Sequence, residues 1–222
     1  MKKGQMMISR KRLGALSAAG GLLFALSAMP AQATPILTVF DGTHTGTGSL
    51  IAPGAYEFNG HLGSWTVNVD VGQTKPGLGS ATEPDMDLSV VATGGTGNLY
   101  ITFVDSGFVG TGSTNFLTSV GGTNPTSLSS VTLQSWTSQG SLSTLGAFGH
   151  GAFSGSDLKS QTLSGLYSLT LYATVNHSNS RKTTTFDAEV QAVPEPSTLA
   201  LLGATLLGSA LFVGRRRAAK TL

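Results

Sequence analysis

Apolar and polar side chains alternate along most of the interior of this chain. Trp65, Val67, Val69 and Val71 are separated by Thr66, Asn68 and Asp70, and Leu99, Ile101 and Phe103 alternate with Tyr100, Thr102 and Val104. Tyr167, Leu169, Leu171, Ala173 and Val175 alternate with Ser168, Thr170, Tyr172 and Thr174, and Phe186, Ala188, Val190 and Ala192 with Asp187, Glu189 and Gln191. Successive side chains of a strand point to opposite faces, so each run predicts a strand with one buried face. Weaker runs at 36–40, 55–58, 87–92 and 130–136 predict further strands. Gly42, Pro53-Gly54, Gly72, Pro76-Gly77, Gly94-Gly95 and Gly121-Gly122 punctuate them, and no stretch from Thr34 to Gln191 sustains a helical period. The expected fold is all-β, an antiparallel β-sandwich over residues 34–192. Two Gly/Ser/Thr-rich stretches, 106–128 and 137–162, read as long mobile loops.

The two ends follow other patterns. Lys2, Lys3, Arg10, Lys11 and Arg12 form a basic segment, Leu13–Ala28 an apolar one, and Ala31-Gln32-Ala33 a small-residue cleavage site. That order predicts a signal peptide over 1–33, handled by the Sec translocon and cut by signal peptidase after Ala33. Past the body, Pro194 and Pro196 lack backbone N–H groups and keep Val193–Glu195 extended. Ser197 or Thr198 can cap the apolar helix expected over 197–214, and Arg215, Arg216 and Arg217 hold its far end cytoplasmic. At about 1.5 Å per residue that helix spans about 24–27 Å, close to the minimum for a bilayer core. Residues 218–222 would be a short cytoplasmic tail.

Pro194-Glu195-Pro196, the Ser197-Thr198-Leu199 start, the Leu/Ala/Gly helix and Arg215–Arg217 together resemble the PEP-CTERM sorting signal of exported bacterial proteins, over 193–217. The resemblance implies an exosortase-type membrane protease as partner, a Gram-negative host making extracellular polysaccharide, and a route through the inner membrane to the cell surface or matrix. The runs Trp65–Val69, Lys75–Ser80 and Thr185–Glu189 are similar to β-rich ectodomains that often precede such tails, and imply no activity.

Charge changes the picture once the ends are set aside. Nine of the thirteen cations lie in the two terminal segments. Residues 34–193 carry four cations against ten carboxylates, a net charge of −6. That balance offers no basic patch for phosphates and excludes a nucleic-acid partner. About 160 residues suffice for one core, and with no cysteine the body needs neither disulfides nor a thiol site.

Candidate chemistry is sparse. Gly151-Ala152-Phe153-Ser154-Gly155 lacks the nucleophile-elbow spacing, and His150 beside Ser154 is not a triad. His44, His61, His150 and His177 share no zinc spacing. Glu83, Asp85 and Asp87 alternate at a strand mouth and are the one calcium candidate, read against an acidic turn that keeps the strand end soluble. Trp65 and Trp136 are read as core tryptophans in preference to sugar-stacking platforms. No cofactor is expected. The reading is a non-catalytic envelope or matrix protein associated with exopolysaccharide; the alternatives are a carbohydrate-binding module, which would show aromatics along a sheet face, and a secreted hydrolase.

Overall fold

A computed structural model describes residues 34–125, 128–179, 182–193 and 205. The expected signal peptide with Ala31 and Ala33, the motif Pro194–Pro196, Arg215–Arg217 and, apart from Thr205, the tail helix lie outside the described residues.

Eleven strands follow one another: β1 (Ile36–Phe40), β2 (Thr45–Thr47), β3 (Ser49–Ala52), β4 (Ala55–Leu62), β5 (Trp65–Gln73), β6 (Asp85–Gly94), β7 (Gly97–Asn124), β8 (Ser129–Thr137), β9 (Gly140–Phe148), β10 (Gly151–His177) and β11 (Thr183–Val193). Every pairing is antiparallel and all belong to one hydrogen-bonded sheet, so the body is all-β. That sheet is folded over on itself by its two longest strands. The first part of β7 pairs with β1 and with the last part of β10, which pairs with β8. The second part of β7 pairs with β11 and with the first part of β10. One layer therefore reads β2-β1-β7-β10-β8-β9 and the other β3-β4-β5-β6-β11-β7-β10.

The core lies between the layers. Leu99, Ile101, Phe103, Leu169, Leu171, Ala173, Val131 and Leu133 are buried from one side, and Trp65, Val67, Val69, Leu88, Val90, Phe186 and Ala188 from the other. Tyr56 of β4 meets Phe103 of β7 across the gap, ring centroids 6.2 Å apart. Thr118 and Ser135 hydroxyls join the layers at 2.7 Å. Trp65 packs on the buried His177 ring, centroids 4.6 Å apart. Gly95 lies against the bond shared by the two indole rings, where a Cβ would come within 2.0 Å of it. Burial holds His177 below its ordinary pKa. Its Nδ1 donates to the Gly94 carbonyl at 2.7 Å.

The two expected loops are strands. Residues 113–124 of β7 pair with 151–162 of β10 residue for residue. The cause is a bulge at Gly107, where Ser168 pairs with Ser106 and Tyr167 with Phe108, leaving Gly107 unpaired. Its φ of +78° suits a residue without Cβ. One extra residue reverses the alternation: Leu99 to Asp105 point inward on odd numbers, Phe108 and Phe116 to Val120 on even ones. A second bulge at Asp70 does the same in β5. Val71 consequently leaves the core and faces outward, half-buried, while Val69 stays inside.

The corner of β7 is held by a buried ion pair. Lys75, in the connection between β5 and β6, places Nζ 2.6 Å from Asp105 Oδ2 and 2.6 Å from the Ser106 carbonyl. The same Nζ stands 3.9 Å above the centre of the Phe108 ring. Thr74 donates its hydroxyl to Asp105 Oδ2 at 2.8 Å, and Asp105 Oδ1 accepts the Ser106 N–H at 2.7 Å. Three acceptors around the ammonium and three donors around the carboxylate offset the cost of burying both charges.

Candidate functional site

The two outward faces of the sheet differ in kind. On the layer built from β1, β7, β10 and β8, alternate residues point to solvent: Phe40 from β1, Tyr100 from β7, Tyr172 from β10 and Trp136 from β8. They form a row across four neighbouring strands, with centroid spacings of 6.0 Å (Phe40–Tyr100), 6.1 Å (Tyr100–Tyr172) and 5.8 Å (Tyr172–Trp136). Register makes the row. Phe40 is opposite Tyr100, while Tyr172 lies opposite Thr102 on one side and Gln134 on the other.

Amides and hydroxyls border these rings. Asn98 donates Nδ2 to the Tyr100 hydroxyl at 3.0 Å, and Asn176 donates Nδ2 to Asn98 Oδ1 at 2.6 Å. Thr38, Thr102, Thr132, Thr174 and Gln134 occupy other outward positions, and no outward residue of the segments that form this layer, 36–40, 97–104, 130–136 and 168–177, is charged. Asp41, in the turn after β1, is the nearest carboxylate along that chain. The His44 and Thr43 backbone N–H groups and the His44 ring hold its pKa down at about 2.

The opposite layer is acidic outside. Asp85 and Asp87 of β6 face the same side as Asp187 and Glu189 of β11, with Asp87 directly opposite Glu189. Burial, then the Asp87 charge, pushes Asp85 above its ordinary range. Burial, then the Asp85 carboxyl, does the same to Glu189, and burial likewise raises Asp87. Among the described residues Asp85 Oδ1 is buried without a hydrogen-bond donor. Beside them an open groove of about 440 Å³ runs over Asp87, Asp187 and Glu189 to Ser119, Ser154 and Ser156.

These placements locate the calcium candidate's residues and correct one expectation. Glu83 is exposed in the connection before β6, away from the row that Asp85 and Asp87 share with β11. Among the described residues no group of three His, Asp or Glu side chains is placed to hold a metal ion. Trp65 is core, but Trp136 is not: it stands half-buried on the outward face. Its parity was available, because Val131 and Leu133 fix the inward positions of β8 as odd. Tyr100 and Tyr172 were legible the same way, as large rings at polar positions; their adjacency was not.

The acidic row supplies a pH prediction. Folding raises the pKa of these carboxyls, so their contribution is complete below the unfolded value near 4 and is lost as pH rises through the folded values. Glu189→Gln should therefore stabilise the chain at pH 7 by about 1 kcal/mol, partial exposure keeping the effect small, and raise Tm by roughly 2–4 °C. Melting curves at pH 7 and pH 4 check this: the gain must shrink at the lower pH, and an equal gain at both would contradict the charge argument.

The PEP-CTERM protein-sorting motif matches this chain at residues 192–217. No curated protein matches it. The motif implies an exported protein sorted through the membrane to the cell surface, with exosortase as the processing enzyme.

Proposed function

We propose that this PEP-CTERM chain is a non-catalytic envelope or matrix protein, exported by Sec, released or re-attached by exosortase, and resident in the polysaccharide around the cell. The observation that carries the reading is how far β11 reaches toward the motif. The matched motif starts at Ala192, while β11 runs to Val193, so sorting signal and sheet abut without a linker. β11 lies between β6 and β7 and its described pairs run to Val193–Asn115, so a cut beyond Val193 leaves each of those pairs in place in the acidic body. Pro194 and Pro196 cannot extend that strand, which keeps the cleavage region available to a membrane enzyme. In this reading Asp85, Asp87, Asp187 and Glu189, on two adjacent strands of one face, are a solvent-facing acidic row and not a catalytic pair.

Intact mass of the protein recovered from the cell surface tests the proposal, in cells with and without their exosortase. The expected mass begins at Thr34 and lacks residues 197–222 only when exosortase is present, and Pro194→Ala with Pro196→Ala blocks that loss. Retention of 197–222 in wild-type cells would make the tail a permanent anchor and overturn the sorting reading.

A further inference from the structure

We infer that the row Phe40–Tyr100–Tyr172–Trp136 is a binding surface for a neutral, unbranched polysaccharide. The row measures at most about 18 Å along its ring centroids. It is one ring wide, lies on the outward face of four strands, and includes Phe40 at 38% exposure. Rings concentrated in one line, on a face whose other outward residues are Thr, Asn, Ser and Gln apart from the Ile36–Val104 pair at one end, are not needed by the core, which fills the other side of the same strands.

The chemistry of the surface selects the ligand. A pyranose ring presents C–H groups on its faces and hydroxyls around its rim. The C–H groups suit the negative π-face of an aromatic ring, and the hydroxyls suit donors and acceptors beside it. Asn98, Asn176, Gln134, Thr102 and Thr174 provide that border. Ring spacings near 6 Å give an extended chain repeated contacts, so individually weak stackings act together. Charge decides the class: the face carries none, and a body of net −6 disfavours a polyanion. A second copy of this chain fits less well, because a strip one ring wide, even with Ile36 and Val104 at its end, falls short of the roughly 800 Å² apolar-centred patch of a stable dimer.

The inference rests on the extracellular location proposed above, since only there does the face meet such chains. Its test is independent of sorting. The full chain, purified in a non-glycosidic detergent, is titrated with hydroxyethyl cellulose, dextran and alginate while tryptophan emission is followed. Trp136 faces outward and Trp65 is buried, so emission reports on the row. Saturable change with at least one neutral glucan and none with alginate is expected. Trp136→Ala and Tyr172→Ala, read by affinity electrophoresis in a glucan-containing gel, should each weaken binding about tenfold while circular dichroism stays unchanged. Gln134→Ala, at the border, should weaken it less and covers the case of a ring variant that misfolds. Binding that survives both ring substitutions, or no binding to either neutral glucan, would overturn the inference with the sorting reading untouched. So would concentration-dependent dimerisation abolished by Trp136→Ala.

Discussion

Asp105→Ala is expected to lower stability by about 3–5 kcal/mol, enough to unfold a large fraction of a domain whose total stability is of order 5–15 kcal/mol. The substitution leaves the Lys75 ammonium, whose side chain is 4% exposed, without its carboxylate. The Ser106 carbonyl and the Phe108 ring remain, and neither neutralises the charge. Thr74 loses its acceptor at the same time, so the connection before β6 loses two of its ties to the β7 corner. The double variant Lys75→Met with Asp105→Leu removes both charges and should recover most of the loss, because a buried pair contributes little net stability over apolar groups of similar volume. Urea unfolding midpoints of wild type, single and double variants provide the check. A single-variant loss below about 1 kcal/mol would show that the pair is not buried in solution.

Val69→Asp should be comparably severe. Val69 is fully buried in β5 opposite Val90, and a carboxylate there finds no cation, since the described core contains only the already paired Lys75. The cost is several kcal/mol, as an unpaired buried charge or as the free energy of keeping it protonated at neutral pH. The neighbouring Asn68→Asp puts the same group one residue away on the outward face and should change stability by only about 0.5 kcal/mol. Far-UV circular dichroism with thermal melts separates the two. Equal destabilisation by both would refute the inward-outward parity on which the fold rests.

Much of the architecture was legible because a strand with one wet face must alternate. Leu99–Phe103, Leu169–Val175 and Phe186–Val190 each lie where their period predicts. Reading failed where alternation changes phase. The bulges at Gly107 and Asp70 each add one residue, which a fixed period of two reads as the end of a strand or as the wrong face. It failed again where inward positions are small or polar, as at Thr118 and Gly122, since their burial is supplied by β8, β10 and β11.

By itself the sequence determined the linear features: the expected export signal, the PEP-CTERM tail matched at 192–217, the acid balance of the body and the inward parity of its longer strands. Targeting machinery and the period of two both act on contiguous residues, so such features need no fold to exist. The tertiary structure decided what meets what. Lys75 reaches Asp105, Asp87 faces Glu189, and Phe40, Tyr100, Tyr172 and Trp136 line up from four strands far apart in the chain. Cross-strand neighbours are set by strand order and register, which depend on how the whole core closes and leave no spacing signal within any one segment.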